Sequence, residues 1–503
     1  MTAHKTRLLF LALLAGCILP LAFAPFHWYF IAFISPGLLL YTWSRASPWQ
    51  AFWRGAVFGI GLFSVGTYWV YISIHTYGGA SLVLAGFITA LFILILAIFP
   101  ATQGLLFSWI FKNTRLAAKS LLAFPAMWII WEWFRTWVFT GFPWLFLGYS
   151  QLNTVLRGFA PLFGVYGVSF AVVFISSALL LLFIHKNYFI KAVSVFLILL
   201  IFSISVFLTP VLWTQTTGNP ILVSLVQGNI QQTMKWNKEH LLHILNIYQE
   251  ETEKHWNSDI IVWPEAAIPT IPQQVSLYLQ QMNQAAKTYH TALIVGMPIY
   301  HPNTNQYFNG MMVLGQGKGI YLKRHLVPFG EYVPLKPLWE GLVQYFRMPM
   351  SDFSPGPLQQ DSMMAKAIPI APFLCYEIAY PAEVLDTVQN KALIVVISDD
   401  SWFGNSIASP QQIQMAQMRA LETGRYILYD TNTGITAVIN PLGHIDSVLP
   451  QNTRAVLTTQ VTAMTGKTPL MEWDYYPVWV MAAIFLLLGL LLRKKKHIKF
   501  ELL

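Results

Sequence analysis

The amino-acid sequence predicts two kinds of structure in one chain: a membrane α-helical bundle of about eight transmembrane helices and an extramembrane α/β domain. Composition is the first reason, because 55% of the 503 residues are hydrophobic and only 11% are charged, unlike a soluble globular protein. Apolar windows of about 20 residues, the length that crosses a hydrocarbon core, recur through the first 210 positions. We predict a membrane domain at 1–212, an extramembrane domain at 213–474, and a last transmembrane helix with a basic tail at 475–503.

Eight apolar windows give the predicted transmembrane helices. Seven centre near Leu14, Ser35, Gly61, Ile93, Ile130, Val172 and Leu197, and the eighth runs from Pro477 to Leu492. Lys and Arg cluster in alternate loops and in the tail, whereas the intervening short loops are nearly uncharged apart from Arg157. Because cytoplasmic loops carry an excess of Lys and Arg, we expect both termini in the cytoplasm and the 213–474 domain on the periplasm-like side.

The formal net charge of +9 does not indicate a nucleic-acid partner, because the basic residues belong to the membrane part. Residues 1–212 contain eleven Lys or Arg and one acidic residue, Glu132. Residues 213–474 contain 15 basic and 20 acidic residues. The extramembrane domain therefore offers nucleic acid no basic face.

The extramembrane segment reads as α/β, with several strands that are apolar throughout and so predict a sheet buried on both faces. The predicted strands are 221–226, 259–263, 292–296, 310–314, 319–322, 368–374, 393–398 and 436–439. The predicted amphipathic helices are 237–255, 273–288 and 410–423.

The chain has two cysteines, which the predicted topology places apart. Cys17 ends a lipobox-like Leu14-Ala-Gly-Cys17, but the apolar run continues to Pro25, which favours a small residue packed in the first helix over a lipid-bearing one. Cys375 is solitary on an oxidising side, where cysteines normally form disulfides. It is either a buried small hydrophobe or a nucleophile, and its position at the end of an apolar strand favours chemistry.

Two further strands end near chemically useful groups. Glu265 closes the apolar run from Ile260, and Lys323 follows the strand 319–322. A carboxylate can take a thiol proton and return it, and a lysine ammonium can stabilise an oxyanion. Each of these residues alone is weakly diagnostic.

Several motifs resemble the apolipoprotein N-acyltransferase family, a membrane-bound branch of the nitrilase superfamily. The motifs are Trp263-Pro-Glu-Ala266, Lys323-Arg-His-Leu-Val-Pro-Phe-Gly-Glu-Tyr-Val-Pro334, Cys375-Tyr-Glu377, Leu21-Ala-Phe-Ala-Pro-Phe26, Glu132 with Arg135, Gly141-Phe-Pro-Trp144, Gln227-Gly-Asn-Ile230 with Lys235-Trp236, and Trp402-Phe-Gly404. The resemblance spans nearly the whole chain. It implies a nitrilase-like αββα sandwich and a bacterial inner-membrane location with a periplasmic catalytic domain.

The resemblance also implies roles for individual residues. Glu265 is expected to be the general base, Lys323 the transition-state stabiliser and Cys375 the nucleophile. The expected supporting or substrate-binding residues are Glu331, Trp236, Tyr376, Glu377 and Trp402. For Glu331 and Glu377 the alternative is an ion pair or a capped loop, and for Trp236 it is ordinary packing.

The implied reaction transfers an acyl chain from the sn-1 position of a phospholipid, typically phosphatidylethanolamine, to a diacylglyceryl-apolipoprotein. A Cys375 thioester is the implied intermediate. We expect a monomer that contacts membrane lipid and needs no cofactor, and the scattered histidines have no metal-binding spacing. Two alternatives stay open: a membrane-tethered amidase or hydrolase that uses water, and a non-catalytic lipoprotein-binding scaffold.

Two local features qualify the resemblance. Asp399 stands where the family usually has Asn, and a carboxylate that pointed at the thiol would disfavour the thiolate, so we expect it to point elsewhere. The segment 334–355 is apolar for a loop, which predicts either a mobile membrane-touching lid that includes Trp339 and Phe346 or a packed amphipathic helix.

Overall fold

The computed structural model describes residues 2–328, 330–332 and 352–493 of the chain. As far as these residues go, the chain forms two compact units. The first comprises Met1–Tyr68, Ile88–Val211 and Trp473–Leu503, and the second comprises Trp69–Phe87 and Leu212–Glu472. The segment Trp69–Phe87, which the sequence analysis assigned to the membrane domain, therefore belongs to the unit that contains the sheets.

A helix covers each of the eight predicted transmembrane positions. The helices are Thr2–Ile18, Ile31–Trp43, Pro48–Gly66, Leu82–Ile110, Phe124–Phe134, Ala160–Ile184, Tyr188–Leu208 and Tyr476–Leu491. Among the described residues, four helical segments are long and apolar enough to cross a membrane, or five if Pro48–Gly66 and Trp69–Tyr77 form one bent span. Length alone therefore does not reach the predicted eight, because apolar windows continue past the residues where helices end, as at Phe134.

Local chemistry explains several features of the helical unit. Ser47 caps the helix Pro48–Gly66, accepting from the Gln50 N–H while its own N–H donates to the Gln50 side chain. A Cβ atom on Gly61 would lie 2.7 Å from the Leu13 carbonyl oxygen and 3.1 Å from Cys17 Sγ, so two helices approach closely here. Cys17 thus packs in a helix contact, which agrees with its reading as a small packed residue.

The second unit contains two sheets. Within the described residues the strands are β1 (Gln215–Gln227), β2 (Ile260–Val262), β3 (Ala292–His301), β4 (Gln306–Gly315), β5 (Gly317–Lys318), β6 (Ile320–Leu322), β7 (Met363–Ala365), β8 (Ile368–Leu374), β9 (Leu393–Ser398), β10 (Ile427–Thr431), β11 (Ala437–Ile439), β12 (Ile445–Val448) and β13 (Ala455–Thr465). One sheet has the order β13-β1-β2-β3-β4-β6 and the other the order β12-β11-β10-β9-β8-β7-β5. Each predicted strand is present, and β5, β7, β10, β12 and β13 were not predicted.

The sheets pack face to face and carry helices on their outer faces. Alternate residues of β2 separate the layers, since Ile260 and Val262 join the core between the sheets while Ile261 joins the core under the helices. Among the described residues, the longer helices of the second unit are Leu241–Glu253, Ser276–Thr288, Pro381–Val388 and Ala408–Thr423. This αββα arrangement confirms the predicted fold class of a helical region joined to a nitrilase-like α/β sandwich.

Candidate active site

Each residue of the predicted triad follows the end of a strand, Glu265 and Lys323 in one sheet and Cys375 in the other. β2 pairs in parallel with β1 and β3, and β8 pairs in parallel with β9. Glu265 lies three residues after β2, while Lys323 and Cys375 directly follow β6 and β8. The triad therefore combines strand ends of both sheets, and the carboxyl ends of strands are where α/β proteins form sites.

Glu265, Lys323 and Glu331 form one buried cluster. Lys323 Nζ lies 2.9 Å from Glu331 Oε1 and 3.4 Å from Glu265 Oε1. Asn309, in β4, donates its amide N–H groups to both carboxylates, at 2.6 Å to Glu265 and 2.7 Å to Glu331. The second oxygen of Glu331 accepts from the Val327 N–H at 2.8 Å, so this carboxylate is held on both sides.

Cys375 is placed by a sharp change of chain direction after β8. Its φ of 52° lies in the left-handed region, which costs a non-glycine residue about 1 kcal/mol. Cys375 is 8% exposed, and Gln412 Nε2, from the helix Ala408–Thr423, lies 3.8 Å from Sγ. The charges of Glu265 and Lys323 both act on this thiol. The structure therefore brings together the three residues of the predicted triad.

The electrostatics of the cluster favour a neutral Cys375 thiol and raise the proton affinity of the Glu265 carboxylate. Burial raises the pKa of the Cys375 thiol, the Glu265 charge raises it further, and the Lys323 charge opposes both. Burial also raises the pKa of Glu265, against the influence of Lys323. Burial would lower the pKa of Lys323, but the carboxylates of Glu265 and Glu331 hold it well above its ordinary value. At neutral pH the lysine is thus a fixed cation.

Glu377 joins the loops that carry the lysine and the thiol. Its carboxylate accepts from the backbone N–H groups of Arg324 at 2.8 Å, His325 at 3.1 Å and Leu374 at 2.8 Å. Tyr321 donates its hydroxyl to the same carboxylate. Glu377 is therefore a buried anchor for the residues next to Lys323 and Cys375.

The other predicted site residues lie around this cluster. The Tyr376 hydroxyl contacts the Tyr380 hydroxyl at 2.5 Å. Trp236 lines a cavity of about 350 Å³ together with Pro269, Thr270, Ile271, Gln274, Pro298, Tyr307, Asp352 and Phe353. The Trp402 carbonyl accepts from Ser73 Oγ at 2.8 Å, and its ring lies 6.3 Å from that of Tyr77. Most of the hypothesised lid, residues 333–351, lies outside the described part of the chain.

Asp399 forms a buried ion pair with Lys235. The Asp399 Oδ2 atom lies 2.5 Å from Lys235 Nζ, and its other oxygen accepts from Asn432 at 3.2 Å. The neighbouring Asp400 is also buried and accepts from the Ser398 hydroxyl at 2.7 Å. The charge of Asp400 raises the pKa of the Cys375 thiol.

No site role was predicted from the sequence for Asn309, Gln412 or Lys235, although Lys235 belongs to one of the motifs that carry the resemblance. Asn309 had a signal, because it directly precedes the apolar run of the predicted strand 310–314. Gln412 has glutamines as neighbours in its helix, so no signal in the sequence distinguishes it as a site residue. In the described residues no group of three or more His, Cys, Asp or Glu side chains could hold a metal ion.

Known proteins that are similar to this chain over most of its length carry the same name. A family model described as the apolipoprotein N-acyltransferase N-terminal domain matches residues 15–178, and one described as carbon-nitrogen hydrolase matches residues 222–469. The apolipoprotein N-acyltransferase of Coxiella burnetii is 55% identical over 481 residues, covering 96% of this chain and 99% of that protein. The corresponding protein of Azotobacter vinelandii is 43% identical over 493 residues, covering 97% and 95%. Saccharomyces cerevisiae Nit3, of branch 10 of the nitrilase superfamily, aligns with 52% of this chain and 98% of its own at 15% identity and a TM-score of 0.38.

Proposed function

Because the chain belongs to the apolipoprotein N-acyltransferase family, we propose that it transfers acyl groups in two steps through a thioester on Cys375. The chain is an N-acyltransferase of lipoprotein maturation in a bacterial membrane, so its substrates are lipids and lipoproteins. The observation that supports the proposed route is the buried thiol beside Glu265 and Lys323.

In the first step, Cys375 Sγ attacks the sn-1 ester carbonyl of a phospholipid, typically phosphatidylethanolamine. Glu265 takes the thiol proton, and Lys323 stabilises the oxyanion that forms. The C–O bond then breaks, Glu265 returns the proton to the leaving alkoxide, and a lysophospholipid departs. The acyl group stays on sulfur as a thioester.

In the second step, the α-amine of a diacylglyceryl-cysteine at the apolipoprotein N-terminus attacks the thioester. Glu265 accepts a proton from the amine, and Lys323 again faces the oxyanion. The C–S bond breaks, Cys375 regains a proton from Glu265, and an amide is released. All proton transfers use side chains of this chain, so the route needs no cofactor.

The raised pKa values support this division of labour. A neutral thiol does not react until a base removes its proton, and a carboxylate whose pKa lies above the usual range is a better proton acceptor than an exposed one. Glu331 pairs with Lys323 and Asn309 donates to Glu265, and these contacts hold the two side chains in place. Glu377 fixes the two loops, and we assign Tyr376, Trp236 and Trp402 to the surroundings through which substrate reaches the thiol.

The proposal is tested with acyl-labelled phosphatidylethanolamine and a diacylglyceryl-cysteinyl peptide. Wild type should yield labelled amide and an enzyme adduct that neutral hydroxylamine removes. Cys375→Ala should lower the transfer rate by at least about 1000-fold, as expected for loss of a nucleophile. Cys17→Ser, which changes the other cysteine of the chain, is the matched control and should keep wild-type activity.

Other outcomes would point elsewhere. Label released from wild type as free fatty acid, independent of the peptide, would favour the membrane-tethered hydrolase. Equal transfer by wild type and Cys375→Ala would remove the thiol from the mechanism. Binding of the peptide without any transfer would favour the scaffold.

A further inference from the structure

A buried ion pair outside the triad, Lys235 with Asp399, donates hydrogen bonds to Glu265. Lys235 Nζ lies 2.5 Å from Asp399 Oδ2 and also donates to the Glu265 carbonyl oxygen at 2.9 Å. The Asp399 backbone N–H donates to Glu265 Oε2 at 3.0 Å. The pair thus touches both the main chain and the carboxylate of Glu265. We propose that Lys235 and Asp399 act together as a positioning pair for Glu265, which rests on the acyl transfer proposed above.

The pair and Glu265 come from three segments that are distant along the chain. Lys235 ends the short helix Gln232–Lys235, Asp399 follows β9 of one sheet, and Glu265 follows β2 of the other. Asp399 cannot swing freely, because its Oδ1 accepts from the Ser401 hydroxyl at 2.5 Å and from Asn432 at 3.2 Å. The Glu265 carboxylate is therefore tied to the end of the facing sheet as well as to Asn309.

Stability alone is a weak reason for this arrangement. Lys235 is 1% exposed and Asp399 is 5% exposed, and an ion pair that is removed from water loses much of its Coulomb energy to desolvation. What the pair fixes is the position of a base and the net charge next to it. Both properties determine how readily a carboxylate accepts a proton.

Many other charges face Glu265, so the effect of the pair must be separated from theirs. Among the described residues, the titratable or charged groups that face it from neighbouring segments are Lys323, Glu331, Cys375, Asp400, Tyr429, Asp399 and Lys235. The negative charge of Asp399 raises the pKa of Glu265. Replacing Asp399 alone should therefore lower that pKa, because the change removes a negative charge near the Glu265 carboxylate and keeps the Lys235 side chain.

The readout is the rate of acyl-enzyme formation from labelled phosphatidylethanolamine, measured from pH 4 to 8 in single-turnover experiments. The plot of this rate against pH should have an acidic limb, where the rate falls as Glu265 becomes protonated. This half-reaction omits the acceptor amine, so the amine does not contribute to that limb. In Asp399→Asn the limb should move to lower pH by about one unit. In the double variant Lys235→Met with Asp399→Asn, it should return toward wild type while the maximal rate stays below wild type.

The matched control is a different ion pair at the opposite end of β2. Lys366 contacts Asp259, which directly precedes the strand, and Lys366→Met should leave the limb unchanged. Thermal unfolding of each variant shows whether the fold is retained. A limb that stays at the wild-type pH in folded Asp399→Asn would overturn the inference, as would an equal shift in Lys366→Met. Absence of any acyl-enzyme in wild type would instead overturn the proposed function.

Discussion

At the scale of single residues, the site contains several buried carboxyl groups. Asp400 is 2% exposed and packs against Gly434, where a Cβ atom would lie 2.3 Å from Asp400 Oδ2. Burial raises the pKa of Asp400 from 3.8 to about 6, although the Ser398 hydroxyl donates to the charged form. A carboxyl in this state makes the folded protein sensitive to pH near neutrality.

The direction of that sensitivity follows from proton binding. Below about pH 4 the Asp400 carboxyl is neutral in both the folded and the unfolded chain. Between pH 4 and 6 the unfolded chain loses this proton first, so the free energy of unfolding falls as pH rises. Asp400→Asn cannot ionise and should gain up to about 3 kcal/mol over wild type between pH 4 and 7.

The measurement is thermal unfolding in detergent at several pH values, with each variant compared with wild type at the same pH. Asp361→Asn, at an exposed carboxyl, is the control and should track wild type. Parallel curves for wild type and Asp400→Asn would contradict the predicted titration.

At the scale of elements, the position of Glu265 depends on a small residue in the neighbouring strand. Gly296 of β3 lies against the Trp-Pro-Glu turn, and a Cβ atom there would be 2.2 Å from the Pro264 carbonyl oxygen and 2.9 Å from Glu265 Cα. Ile397 of β9 closes the other side, at 2.7 Å from the same point. The turn therefore cannot keep its present position if β3 carries a side chain here.

Gly296→Ala should displace the Glu265 backbone and lower acyl transfer by about 100-fold, because catalysis is steeply sensitive to misplacement of a base. Gly86→Ala is the matched control, since no atom lies within 4 Å of its added Cβ, and it should retain activity. The assay is labelled amide formation, with unfolding temperature recorded for both variants. Full activity of folded Gly296→Ala would show that the turn adapts.

At the scale of the whole molecule, the orientation in the membrane is a proposal from charge. The loops that carry Lys186 and Lys191, and the basic tail, are expected in the cytoplasm, and the sheet-containing unit is expected in the periplasm. Such an orientation would place the Cys375 thiol on the periplasmic side of the membrane. Exposed positions on both sides of the predicted membrane allow this to be measured.

In a background without Cys17 and Cys375, Leu358→Cys and Tyr188→Cys place one thiol on each predicted side. The two side chains are 82% and 84% exposed in the structure. A membrane-impermeant maleimide should label Leu358→Cys in spheroplasts and Tyr188→Cys only after lysis. The reverse pattern would invert the proposed topology.

The fold class and the strand ends that carry Glu265, Lys323 and Cys375 could be predicted from the sequence alone. Apolar runs report burial directly, and a polar residue that terminates such a run is visible without coordinates. The motifs around these residues also indicated the family to which the chain belongs. The edge strands β12 and β13 were missed because their side chains alternate weakly between buried and exposed.

The polar groups that surround the triad could be identified only from the folded structure. Asn309, Lys235 and Gln412 come from a strand, a short helix turn and a long helix, and their spacing along the chain carries no information about proximity. The partner of Asp399 also became known only through the fold, since its carboxylate binds Lys235, 164 residues earlier in the chain. Local patterns encode burial and direction, whereas contacts between distant segments depend on how the two sheets pack.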